Sequence, residues 1–229
     1  MRFARSLASR GRLVAEIKFC GLTRPEDAAV AGTLGARYLG VIFAGGPRQL
    51  DASRAGEVLD GSTTNALRVG VFGRTAPAEL GRIARAARLD IVQLHGDPTA
   101  ADVAAVRGNT GAEVWAVVRV TDTLPAGTDE LLDAADALLI DAKVSGSLGG
   151  TGVRVDWKAI EADVAIRRGR QRIVLAGGLA ADNVGEAIRA LRPDVVDVSS
   201  GVESAPGIKD HARMRAFAAA VADAAQEKR

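Results

Sequence analysis

Short β-branched runs alternate with alanine-rich amphipathic stretches along almost the whole of this 229-residue chain. The strand-like runs are Ile17–Cys20, Tyr38–Phe43, Arg68–Phe72, Ile91–Leu94, Glu113–Val118, Ala137–Asp141, Arg172–Ala176 and Val195–Val198. Helix-like segments begin near Pro25, Ala52, Pro77, Pro98, Thr128, Asp156, Asp182 and Lys209. Pro25 after Thr23, Pro77 after Thr75 and Pro98 after Asp97 suit helix starts, because the missing proline N–H costs nothing in a first turn. Alternating β and α predicts a parallel sheet covered by helices. Eight such units, with no linker or low-complexity break, predict one closed barrel over residues 15–229. The rival, an open doubly wound sheet, lacks the GxGxxG turn that would follow its first strand. The expected fold class is therefore α/β, a single-domain (β/α)8 or TIM barrel. Residues 1–14 (MRFARSLASRGRLV) are basic and free of acids, but arginines interrupt any apolar signal core. They are read as an N-terminal extension outside the barrel.

Composition narrows the chemistry. One cysteine excludes an intrachain disulfide and a cysteine-rich zinc site. Two distant histidines, His95 and His211, leave little for a histidine-based metal site, and neither HExxH nor GxSxG occurs. No metal is expected, and the chemistry must draw on carboxylates, one thiol, backbone amides or a borrowed cofactor. Thirty basic residues against 28 acidic ones, with 3% aromatics, give neither the field nor the stacking surface that nucleic acid requires. No apolar run reaches the roughly 18 residues of a membrane span. The expectation is a cytoplasmic protein, a monomer with a homodimer as the alternative, acting on a small phosphorylated molecule.

In a barrel of this kind, function gathers where strands end. Cys20 ends the first strand, Arg48 follows the second, His95 the fourth and Asp141 closes the sixth. Gly177-Gly178 follow the seventh strand, and Ser199-Ser200-Gly201 the eighth. Small residues in those last two loops let backbone N–H groups approach an anion, although glycine-rich turns also serve simply to close tight loops. Strand alternation puts Lys18 and Cys20 on the inner face, with Ile17 and Phe19 toward the helices. Closing the ring joins the first and eighth strands, so Lys18 is expected within about 6 Å of Asp197. Cys20 is a candidate nucleophile or base if neighbouring cations favour its thiolate, and otherwise a small buried hydrophobe. Asp141 ends an apolar run and is a candidate general acid; the glycine-rich stretch Ser145–Gly152 after it is a candidate lid. Arg48 either clamps a substrate carboxylate or lies solvated at the surface. His95, in QLHG, has no partner visible in sequence and is read as a structural residue orienting its loop.

Taken together, IKFCGLT, GPR, VQLHGD, LLIDAK, GGTG with DW, LAGGL with DNV, and VDVSSGVE with PGIKD resemble the phosphoribosylanthranilate isomerase family of tryptophan biosynthesis. The match runs in order from about Ile17 to Ala218. AGGL by itself is common to many phosphate-binding barrels, whereas the cysteine motif with QLHG and SSGVE is specific. The resemblance implies a cofactor-free Amadori rearrangement, with Cys20 as general base and Asp141 as general acid. It also implies that Arg48 holds the anthranilate carboxylate and that Gly177, Gly178, Ser199, Ser200 and Gly201 cradle the phosphate. Gly46, Gly73 and Ala181 depart from the family pattern in loops. Two alternatives are a histidine-pathway aminoaldose isomerase and a non-catalytic phosphosugar-binding barrel. The first would carry aspartates where Cys20 and Val118-Arg119 stand; the second would not need the Cys20/Asp141 pair.

Overall fold

A computed structural model describes residues 15–120, 123–142, 157, 159–167 and 170–226. Eight parallel strands close into a ring, each followed by a helix. In chain order these are β1 (Glu16–Phe19), α1 (Pro25–Thr33), β2 (Tyr38–Ile42), α2 (Ala52–Asp60), β3 (Leu67–Phe72), α3 (Pro77–Ala86), β4 (Ile91–Leu94) and α4 (Ala100–Thr110). The second half continues with β5 (Glu113–Val120), α5 (Thr128–Ala134), β6 (Ala137–Ala142), α6 (Glu161–Ala165), β7 (Arg172–Ala176), α7 (Val184–Leu191) and β8 (Val195–Val198). A short antiparallel hairpin, β9 (Glu203–Ala205) with β10 (Ile208–Lys209), precedes the last helix, α8 (His211–Gln226). The closed parallel ring matches the architecture expected from the alternation. The expected start of the sixth helix near Asp156 and the candidate lid Ser145–Gly152 lie outside the described residues, as does the extension 1–14.

Local chemistry explains the helix starts. Pro25 and Pro77 open α1 and α3. Asp51 accepts a hydrogen bond from the Arg54 amide at the start of α2. Thr99 and Asp102 form a reciprocal capping box, so α4 begins two residues after Pro98 rather than at it. Gly111, at φ 69°, ends α4 in the left-handed region that glycine tolerates.

Residues alternate strictly across the barrel wall. The outward set, including Ile17, Phe19, Leu39, Val41, Val196 and Val198, is buried against the helices. The inward set splits by height. Toward the strand starts it is packed solid by Tyr38, Val69, Ile91, Trp115, Val117, Ala137, Leu139, Val174 and Val195. Tyr38 and Trp115 meet edge-on, 5.0 Å between centroids, and the Tyr38 hydroxyl donates to Glu16 at 2.7 Å. This plug leaves only the strand ends free to line a cavity. Among the described residues, no helix is long and apolar enough to cross a membrane.

Candidate active site

The plug is topped by a cavity of about 420 Å³ at the C-terminal mouth of the barrel. Its wall repeats the inward parity of the strands: Cys20, Ile42, Val71, Gln93, His95, Leu139, Asp141, Ala176, Asp197 and Ser199. Gly177, Gly178, Ser200 and Gly201 complete the rim. Every proposed site residue except Lys18 and Arg48 thus borders one space; Lys18 pairs with Asp197 of its wall, and Arg48 pairs with Glu203, which does not line it.

Lys18 is fully buried, and its Nζ lies 2.7 Å from Asp197 Oδ2 across the β1–β8 seam. The ladder there pairs Lys18 directly with Asp197, so ring closure creates the contact. Burial alone would lower the Lys18 pKa; Asp197 and Cys20 outweigh it and raise the value. Asp197 is pushed upward by burial, against the pull of Lys18. Its second oxygen, Oδ1, is buried without a hydrogen-bond partner, as is Gln93 Oε1 on the same cavity wall.

Cys20 is buried and unpaired. Burial raises its thiol pKa and Asp197 adds to the rise, while the Lys18 and Lys209 cations work against it. The thiol packs over Gly40, where a Cβ would come within 3.0 Å of Sγ. A residue without a side chain is therefore needed on β2 for the thiol to occupy its place.

Asp141 sits three strands away around the ring, opposite Arg119 in the β5–β6 ladder. Its Oδ2 lies 3.5 Å from His95 Nε2. His95 therefore has a partner in the cavity, where sequence alone suggested a purely structural residue. Burial pushes the His95 pKa down, and Asp141 opposes that shift. The His95 loop is anchored by Arg119, which donates to the His95 carbonyl at 2.9 Å and pairs with Asp97 at 2.5 Å.

The β7 and β8 loops pack closely. Gly177 and Gly178 hold φ of 92° and 64°, which ordinary side chains rarely adopt. Asn183 accepts from the Ala180 amide and donates to the Gly178 carbonyl, both at 2.9 Å, fixing this turn. A Cβ on Gly201 would overlap the Leu179 carbonyl, so the two loops require glycine at their contact. Arg48 forms a bidentate pair with Glu203, at 2.8 Å and 2.5 Å. That pair uses two of the five guanidinium donors and leaves the others for a second anion. Sequence reading missed Gln93, Glu203 and Lys209. Gln93 lies two residues before His95, so counting by two along β4 would have found it.

A closed parallel barrel with a thiol, a carboxylate and an imidazole around a cavity at its C-terminal mouth defines a (β/α)8-barrel enzyme. The family model for N-(5′-phosphoribosyl)anthranilate (PRA) isomerase matches residues 17–220. The N-(5′-phosphoribosyl)anthranilate isomerase of Pseudomonas aeruginosa strain UCBPP-PA14 is 40% identical over 206 residues, spanning 90% of this chain and 94% of its own. That of Paracoccus denitrificans is 42% identical over 217 residues, covering 90% and 97%. The crystal structure of phosphoribosyl anthranilate isomerase from Thermotoga maritima superposes with TM-score 0.79 at 31% identity, covering 91% and 99%. A phosphoribosyl anthranilate isomerase in complex with reduced 1-(o-carboxyphenylamino)-1-deoxyribulose 5-phosphate superposes with TM-score 0.76 at 29% identity, covering 91% and 99%. The chain belongs to the phosphoribosylanthranilate isomerase family.

Proposed function

We propose that the chain isomerises N-(5′-phosphoribosyl)anthranilate to 1-(2-carboxyphenylamino)-1-deoxyribulose 5-phosphate in tryptophan biosynthesis, with Cys20 as general base and Asp141 as general acid. The observation that carries this reading is one cavity bordered by that thiol, that carboxylate and two glycine-bearing loops. The membership of the family and the reduced product analogue bound by a structural relative support it.

The chemistry moves protons only. Asp141 protonates the furanose ring oxygen as the C1′–O bond breaks and the anthranilate nitrogen lone pair forms the C1′=N bond, opening the sugar to a protonated Schiff base. The Cys20 thiolate removes the C2′ proton, and its electron pair flows toward the iminium to give an enolamine. Tautomerisation moves the C2′ hydroxyl proton to C1′ and gives the ketone, and the cycle closes when Cys20 releases its proton and Asp141 takes one up. An acid and a base three strands apart act at neighbouring positions of one small sugar without competing for one proton. His95 Nε2, 3.5 Å from Asp141 Oδ2, faces that carboxylate in the cavity.

Substrate placement follows from the rim. Backbone amides around Gly177, Gly178, Ser199, Ser200 and Gly201 take the phosphate, since positive-φ glycines leave their N–H groups unobstructed. Arg48, held by Glu203, directs its remaining donors to the anthranilate carboxylate.

The test is the fluorescence change when the purified protein meets freshly generated phosphoribosylanthranilate. Cys20→Ser and Asp141→Asn should each lower turnover by about 10² or more while retaining fold. Turnover near that of the unmodified chain in either variant would remove the acid–base assignment. Retained phosphate-ester binding with no turnover in the unmodified chain would favour the non-catalytic alternative.

A further inference from the structure

Lys209 is buried at the end of β10, and no step of the reaction above uses it. Its Nζ donates to the Cys20 carbonyl at 2.6 Å, the Ser199 carbonyl at 3.1 Å and Glu203 Oε1 at 2.8 Å. Three acceptors require three N–H donors, which only the ammonium form possesses. The first two are the residues next beyond Phe19 and Val198, the last pair of the β1–β8 ladder. Lys209 therefore continues the seam where backbone pairing stops, joining the base strand to the loop that borders the phosphate site.

The charges around Cys20 are unequal. Lys18 on β1 is matched by Asp197 on β8. Glu203 on β9 is shared by Arg48, from the β2 loop, and Lys209. With Asp27 on α1 matched by Arg24, Lys18, Arg48 and Lys209 thus face two carboxylates, Asp197 and Glu203, on this side of the cavity. On the far wall, His95 of the β4 loop and Asp141 of β6 face each other. We infer that Lys209 is a positioning residue for the isomerase, clamping the Cys20 and Ser199 carbonyls and leaving one unmatched positive charge beside Cys20 that favours the thiolate. Burial opposes thiolate formation, so an uncompensated cation is what the base needs. Asp27 on α1 locates the clamp: it accepts from the Lys209 amide at 3.3 Å, pairs with Arg24 and contacts His211 Nε2 at 2.8 Å.

This inference rests on Cys20 as the base, and its test reads the thiol without turnover. Cys20 is the chain's single cysteine, so the pH dependence of iodoacetamide alkylation reports that group alone. Lys209→Met should move the alkylation midpoint up by about one pH unit, slowing reaction about tenfold on the neutral side. Glu203→Gln should move it down, because both cations then lack their carboxylate. The acidic limb of kcat/KM should follow in the same direction in each variant. Unchanged midpoints, or shifts of the same sign in both, would overturn the inference. Should Lys209→Met not fold, Glu203→Gln decides by itself: a downward shift upholds the inference, and no shift or an upward one refutes it. Inactivity of both variants with shifted midpoints upholds the charge argument, whereas full turnover by Cys20→Ser strikes only at the base assignment.

Discussion

Replacing Lys18 with methionine keeps the side-chain length and removes the charge that faces Asp197. Coulomb's law at an effective dielectric constant of about 20 gives about 6 kcal/mol of attraction for unit charges at this separation. The contact is 2.7 Å long, and both partners are buried. Asp197 Oδ1 already lacks a partner, so the variant would leave the whole carboxylate without a hydrogen bond. Some of that attraction is recovered by Asp197 taking up a proton, and the expected net loss is about 3–5 kcal/mol. With a urea slope of about 2.5 kcal/mol per molar, the unfolding midpoint should fall by about 1–2 M. The sign of the pH dependence follows from Asp197, whose pKa burial already raises in the folded chain. Without Lys18 that value rises further above the unfolded one. The folded variant then holds a proton the unfolded chain has released, and the resulting stability fades as pH climbs through the folded value. The deficit should accordingly be smaller near about pH 5 than near about pH 8. In the double variant Lys18→Met/Asp197→Val the unpaired charge is gone, and most of the lost stability should return. Urea titrations of the two single variants and the double close the cycle. A Lys18→Met cost below about 1 kcal/mol, or strictly additive losses, would refute the account of this pair as a matched buried couple.

Two further substitutions probe the cavity wall. Gly40→Ala places a methyl 3.0 Å from the Cys20 sulfur and 3.1 Å from its Cα. We expect about 1–3 kcal/mol of overpacking in a thermal melt and a fall in kcat larger than any rise in KM; unchanged kcat would show that the thiol has room to move. Asn183→Ala removes both hydrogen bonds that fix the Gly178–Ala180 turn. At about 1 kcal/mol each, KM should rise by up to about thirtyfold with kcat little changed, and inorganic phosphate should inhibit more weakly.

The barrel was legible because its signal is local and repeated. Each β-branched run and each proline or capping start reports on its own neighbourhood, and eight repeats leave few ways to close the ring. Inward parity could be read at Ile17–Cys20, and the Lys18–Asp197 contact follows once β1 and β8 are neighbours. What escaped the sequence depends on distant partners. Lys209 reaches a carbonyl 189 positions earlier, from a two-residue strand too short to show alternation. Glu203 is similarly hidden, since its role comes from facing Arg48 at a separation of 155 residues. The His95–Asp141 approach needs both β4 and β6 in the ring, and no spacing within QLHG announces it. Boundaries shifted for local reasons: Thr99, not Pro98, caps α4, and β5 extends two residues beyond Val118.

The seam between β1 and β8 also ties the first strand to residues made last during synthesis. The cysteine is made near the beginning, yet its carbonyl is held by Lys209 and its inner neighbour by Asp197, both from the far end. A nascent chain that has completed six or seven strands carries the thiol, the carboxylate and most of the wall, but neither of those contacts. Chains that stop short of the final hairpin therefore lack the Lys209 contacts to the Cys20 and Ser199 carbonyls, and those that stop short of the last helix also lack the Phe217 ring that packs on Phe19 of the first strand.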